Sequence, residues 1–175
     1  MASAEFSFKK YQVENGLSHN TTWCAIQDSY GFLWIGTSNG LNCYYGSGNK
    51  IYRNVLNDKY SLGNNFVSSL MEEGEDLWIG TSSGLYIYDR SDDHFLYFDK
   101  TTKYGVFISC EVKKIVKTKN GLIWIATLGQ GIFIYDPAKD VLTQNSIRTF
   151  FCLGYLPGYG FSCLCFFYAG GVTLL

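Results

Sequence analysis

A short run, Leu33-Trp34-Ile35-Gly36-Thr37-Ser38-Asn39-Gly40-Leu41, returns almost unchanged as Leu77-Trp78-Ile79-Gly80-Thr81-Ser82-Ser83-Gly84-Leu85. It returns again, looser, as Ile123-Trp124-Ile125-Ala126-Thr127-Leu128-Gly129-Gln130-Gly131-Ile132. The three tryptophans are 44 and 46 residues apart. A period of that size, with room for four short strands inside it, is the signature of a propeller blade. The punctuation agrees. Each unit reads as a polar entry loop, a strand, a tight turn, the tryptophan strand, a second turn and two further strands. The strands are expected at 22–28, 32–37, 41–45 and 50–53; at 66–71, 77–81, 85–88 and 94–98; and at 112–116, 122–127, 132–135 and 141–144.

The Leu-Trp-Ile-Gly runs are apolar on both faces, as in strands covered by a sheet on each side. Trp34, Trp78 and Trp124 are therefore assigned to the core. The glycines that follow, Gly36 and Gly80, leave room for close approach of a neighbouring sheet, or for a bend. Gly40, Gly84 and Gly131 end turns that call for positive φ. Tyr44, Tyr88 and Tyr135 recur at the end of the third strand, and their expected place is against the neighbouring blade. The fold class is all-β: about three four-stranded antiparallel blades over 6–147, forming an incomplete, open arc of a propeller. The repeats run 15–56, 57–101 and 105–147, with 6–11 as an outer strand of the preceding blade.

Composition narrows the function. Net charge is −1 in 175 residues, so no basic surface invites nucleic acid. Aromatics make up 18% of the chain, with 19 Gly and 2 Pro, which suits a turn-rich β protein. The cysteines do not recur from repeat to repeat, so they form no disulfide framework. Cys163-x-Cys165 lacks a second pair to complete a metal site, and Asp89, Asp92 and Asp93 lack the alternation of a calcium loop. No nucleophile and base stand on a glycine elbow. No cofactor, metal or catalytic residue is expected. Asn20-Thr21-Thr22 is a formal glycosylation sequon, meaningful only in a eukaryotic secretory setting.

The two ends differ from the repeats. Residues 1–5 lack the apolar run of an export signal, although Ala2-Ser3-Ala4 has the form of a signal-peptidase site. They are either the stub of such a signal or an arbitrary start. Residues 149–175 contain no Asp, Glu, Lys or Arg. Their glycines and Pro157 make a poor membrane-spanning helix, and no Trp-Ile-Gly-Thr appears where the next repeat would place it. The tail 148–175 reads as a foreign or out-of-frame version of the next blade.

The pattern Asn15-Gly16-Leu17-Ser18-His19-Asn20, Trp23, Ile26 to Asp28, Gly31-Phe32-Leu33-Trp34-Ile35-Gly36-Thr37 and Gly40-Leu41 resembles the two-component regulator propeller repeat. The phrase from Ile123 to Pro137 looks like the same family. The resemblance covers about 6–145. It implies seven-bladed propellers, usually in tandem, forming the periplasmic sensor half of hybrid two-component regulators common in gut Bacteroidetes. It further implies detection of oligosaccharides and transmission to a cytoplasmic kinase, with the remaining blades and kinase portion as partners and a homodimer as one arrangement. This chain has three recognisable repeats and no kinase, receiver, DNA-binding or membrane segment, so it reads as a fragment of such a sensor.

In a four-stranded blade, the loops entering strand one and joining strands two and three share one face of the disc. Here these are 18–22 with 38–39, 63–65 with 82–83, and 105–109 with 129–130. They carry His19, Asn20, Asn39, Asn64, Asn65 and Gln130, whose neutral polar groups suit sugar hydroxyls, and Trp23 could stack on a sugar ring. The plain alternative is that these are ordinary turn residues satisfying local backbone. Two other readings of the function stay open. One is a protein-interaction propeller; the other is a propeller glycosidase or lyase.

Overall fold

The computed structural model describes residues 10–46 and 48–145, with the backbone of 165–168 and 171–174. The readings of 1–9, and of the tail apart from that backbone, lie outside the described residues. Within 10–145 the fold is three antiparallel four-stranded meanders. Blade 1 comprises β1 (Thr22–Gln27), β2 (Leu33–Thr37), β3 (Gly40–Tyr45) and β4 (Gly48–Tyr52). Blade 2 comprises β5 (Val67–Glu73), β6 (Asp76–Thr81), β7 (Gly84–Asp89) and β8 (His94–Tyr97). Blade 3 comprises β9 (Val112–Lys117), β10 (Ile123–Thr127), β11 (Ile132–Asp136) and β12 (Val141–Asn145). A separate hairpin pairs β13 (Cys165–Tyr168) with β14 (Gly171–Leu174). A single 3-10 turn, Val13–Asn15, precedes β1, and Lys10 and Tyr11 of the expected outer strand are irregular.

Every strand expected within the repeats is present. The threonine of each repeated run closes the tight turn after it. Thr37 donates to the Gly40 carbonyl (2.9 Å), Thr81 to Gly84 (2.9 Å) and Thr127 to Gly131 (2.6 Å). The glycines there have φ of 127°, 127° and 78°, a region that L side chains rarely adopt.

The blades stack through their sheet faces, so the core lies between them. Trp34, Leu41, Val67, Leu70, Leu77, Ile79 and Phe95 belong to a buried cluster that joins blades 1 and 2. Met71, Trp78, Leu85, Val112, Ile115 and Ile125 belong to one that joins blades 2 and 3. Gly36 and Gly80 are glycine because of close approach. A Cβ on Gly36 would stand 2.6 Å from Cγ1 of Val67, and one on Gly80 would stand 2.7 Å from Cγ1 of Val112. In blade 3 the position is Ala126, and among the described residues no fourth blade abuts it.

The tyrosines act across the same interfaces. Tyr88 of blade 2 meets Trp34 of blade 1 edge-on at 5.2 Å, and Tyr135 of blade 3 meets Trp78 of blade 2 at 5.8 Å. Tyr44, with no described blade on its side, packs on Tyr11 at 4.7 Å. Trp34 and Trp78 are 1% and 4% exposed, whereas Trp124, on the outer face of the last blade described, is half-buried. Each interface also carries a polar staple. Lys50 of blade 1 pairs with Asp93, which accepts from Tyr88 (2.6 Å); Lys100, just beyond β8, pairs with Asp140 (2.6 Å), which accepts from Tyr135 (2.6 Å).

Candidate functional site

The expected sharing of one face by the entry loops and the β2–β3-type turns holds in all three blades, through a repeated backbone bond. Ser38 donates to the Thr21 carbonyl (3.1 Å), Ser82 to Phe66 (3.3 Å) and Leu128 to Glu111 (2.8 Å). Gly40 also donates to Asn65 (2.7 Å), tying the turn of blade 1 to the entry loop of blade 2.

On that face each innermost strand carries a one-residue bulge. The register shifts between Thr22 and Cys24, between Val67 and Ser69, and opposite Ala126 and Thr127, leaving Trp23, Ser68 and Lys113 as the extra residues. A bulge re-aims its side chain. Trp23 is thereby held 54% exposed. Its indole N–H donates to Ser38 Oγ (2.9 Å), and its ring lies 5.1 Å from that of Phe66 on the next blade. The pair forms an aromatic platform beside the innermost strands.

The neutral side chains around it order the loops. The Asn20 carbonyl accepts from the Val13 amide (2.9 Å), and His19 Nδ1 accepts from Thr21 (3.0 Å). Asn64 accepts from Phe66 (2.8 Å) and from Ser82 Oγ (2.8 Å); Asn65 accepts from the Asn54 amide (2.6 Å). Gln130 accepts from Ser109 (3.0 Å) and donates to the Phe107 carbonyl (3.0 Å). Asn39 is exposed, with its backbone N–H given to Thr37 and its carbonyl taken by Arg53. Most of the amides expected to meet a ligand thus hold the backbone that surrounds the platform.

The opposite face, carrying the β1–β2 and β3–β4 turns, has a feature that the repeat pattern did not single out. A cleft of about 600 Å³ opens between blades 1 and 2, walled by Tyr30, Phe32 and Tyr45, floored by Trp34, Tyr52 and Tyr88, and rimmed by Lys50, Glu75, Arg90 and Ser91. Its base is a buried charge network. Asp28 accepts from Trp34 Nε1 (2.7 Å) and from the amides of Tyr30 (3.0 Å) and Phe32 (2.8 Å). Arg90 of blade 2 reaches across to Asp28 (2.9 Å) and also meets Glu72 of its own blade (3.5 Å), which in turn accepts from the Ser29 amide and hydroxyl of blade 1. Burial raises the Asp28 pKa. The bonds from Trp34, Phe32 and Arg90, with the Arg90 charge, outweigh burial and hold it below the ordinary carboxylate value. Burial, with bonds to Asp93, pushes the Tyr88 hydroxyl up to about 12 and Tyr52 higher still.

The signal for these residues lay in departures from the repeat. Arg90 follows Tyr88-Asp89 where Pro137 follows Tyr135-Asp136, and Asp28 stands where blade 3 has Thr118. Among the described residues no cluster of His, Cys, Asp and Glu could hold a metal ion, and no helix is long and apolar enough to cross a membrane.

The two-component regulator propeller profile matches residues 16–39 and 61–83. Over 60 residues the chain is 40% identical to histidine kinase P4 of Formosa agariphila, covering 34% of this chain and 4% of that protein. Two solved structures from B. thetaiotaomicron share the fold. One is the extracellular domain of a protein described as a hybrid two component system (TM-score 0.73, 22% identity, 95% of this chain and 25% of that one). The other is the extracellular domain of one described as a one component system (TM-score 0.62, 20% identity, 89% and 23%). The chain thus spans about a quarter of the length of these structures and far less of the kinase. Two segments of the chain thus match the two-component regulator propeller profile in sequence, and its three blades share the fold of these extracellular domains.

Proposed function

We propose that this chain is part of the ligand-sensing propeller of a two-component regulator, lying in the periplasm and recognising an oligosaccharide on its entry-loop face. The observation that carries the reading is the Trp23–Phe66 platform, an exposed tryptophan resting on a half-buried phenylalanine among loops whose own polar groups are already ordered. A flat aromatic surface in a fixed frame suits the apolar face of a sugar ring, and pre-ordered loops lower the entropic cost of binding. In this reading His19, Asn20, Asn64, Asn65 and Gln130 position the platform, while Asn39 is exposed to reach a hydroxyl. The remaining blades complete the disc, and a kinase portion, working as a dimer, receives the signal.

The test is calorimetric titration of the complete regulator's sensor region with defined oligosaccharides, alongside assay for products. Saturable binding without turnover, weakened about tenfold or more by Trp23→Ala at unchanged melting temperature, is the expected result. Turnover would favour the glycosidase or lyase reading. Binding indifferent to Trp23 would remove the platform from the mechanism, and capture of a protein at this face would favour the interaction reading.

A further inference from the structure

The cleft between blades 1 and 2 lies on the opposite face from the platform, and the proposed sensing role makes no use of it. Its aromatic rings already carry cations. The Arg90 guanidinium lies 4.7 Å from the Tyr30 ring centre, and Lys50 Nζ lies 4.7 Å from that of Tyr52. Both are neutralised, Arg90 by Asp28 and Glu72 and Lys50 by Asp93. At the mouth, Phe32 and Tyr45 stand edge-to-face at 6.1 Å and are 36% and 45% exposed. Beside them Glu75 is exposed, and among the described residues its carboxylate takes no hydrogen bond or ion pair.

Of the charged groups that line the cleft, Lys50 and Arg90 are paired with Asp93 and with Asp28 and Glu72 beside it, which leaves the Glu75 carboxylate as the uncompensated charge. Asp76 and Asp89 add the same sign at its border. The Asp76 carboxyl is raised above its ordinary value by burial first, then by Asp89 and Glu75. An anion entering here meets cations that are already satisfied and a carboxylate that repels it. An uncharged ring would stack but leave Glu75 unused. A cation gains from both the electron-rich ring faces and the free carboxylate. The cleft's size is that of a small-molecule site.

We propose that this cleft binds a small organic cation, its ammonium group set against the faces of Phe32 and Tyr45 and opposite the Glu75 carboxylate. The resident Arg90 and Lys50 fix the floor and leave the mouth for the ligand.

Choline is a suitable probe, with 3,3-dimethyl-1-butanol as its uncharged isostere, each titrated calorimetrically into the full chain at matched ionic strength. Choline is expected to bind saturably and about tenfold tighter than the alcohol. Glu75→Gln and the double variant Phe32→Leu/Tyr45→Leu should each weaken it about threefold or more, with melting temperatures unchanged. Trp23→Ala, on the far face, should leave it untouched, so this result stands apart from any failure of oligosaccharide binding. Equal affinity for the alcohol and choline would overturn the proposal, as would no saturable binding of choline, or indifference to both cleft variants.

Discussion

The indole N–H of Trp34 donates to the carboxylate of Asp28 at 2.7 Å, and the same carboxylate oxygen receives Arg90 from the next blade at 2.9 Å. One buried oxygen therefore satisfies the repeat's central tryptophan and ties two blades together. Trp78, in the corresponding place, has its indole nitrogen buried without a partner among the described residues. The β5–β6 connection is shorter, and no Asp28 equivalent stands beside that indole.

Removing Asp28 should be among the most damaging single changes. Asp28→Ala leaves half-buried Arg90 with Glu72 as its one carboxylate, beside the Glu75 carbonyl that accepts from its Nε, and leaves the Trp34 indole unpaired, and is expected to cost about 3–5 kcal/mol. Chemical denaturation followed by tryptophan fluorescence measures this. The double variant Asp28→Ala/Arg90→Met should recover part of the loss, because the uncompensated charge is then gone. A loss under about 1 kcal/mol would show the latch to be peripheral.

The same carboxylate sets an acid limb. Its pKa is lowered in the folded state, so its stabilisation is complete above the unfolded value of 3.8 and drains away as pH falls through the lower folded value. Asp93 behaves alike. Burial raises its pKa, and bonds from Lys50, Tyr88 and Tyr52 more than offset that. Stability should thus be flat with respect to these groups near neutrality and fall below about pH 4. Melting temperatures across pH 2–7 check this, and Asp28→Asn should flatten the limb.

Gly36→Ala and Gly80→Ala test the packing between blades. The added methyl would meet Cys24 Sγ at 2.5 Å and Val67 Cγ1 at 2.6 Å in the first case, and Val112 Cγ1 at 2.7 Å in the second. Each should destabilise by about 1–3 kcal/mol. The pair Gly80→Ala/Val112→Ala should be milder than the sum of its parts, because the smaller neighbour makes room. Urea midpoints distinguish these outcomes.

Burial pushes the Cys24 thiol up to about 12, against smaller opposing effects of a Gly36 backbone bond and the Lys114 charge. Burial likewise pushes Cys43 to about 11. At pH 8 the thiolate fractions are then about one in ten thousand for Cys24 and one in a thousand for Cys43. Iodoacetamide mapped by mass spectrometry should leave both unmodified in the native protein and label both in urea. Rapid native labelling of either would contradict the packing between blades.

How far the sequence carried the reading differs by level. The period of the Trp-Ile-Gly-Thr runs fixed the number of blades, their strands and the face shared by the entry loops. Each of those follows from local pattern: alternation, turn glycines and a repeated spacing. Gly36 was narrowed to close approach or a bend, and Val67 of the next blade decides for close approach. The loop amides were suitable for ligand or for backbone, and most of them hold backbone.

What lay beyond the sequence was pairing across the interface between blades. Arg90 and Asp28 are far apart in the chain, and Arg90 belongs to no repeated motif, so nothing local announces that they meet. The cleft exists only because the turns of two successive sheets converge there. Local periodicity determines which strands form, since each needs only its neighbours in sequence. The partners of a turn residue at such an interface are chosen by how two finished sheets stack, which is a property of their packed faces and not of either sequence segment alone.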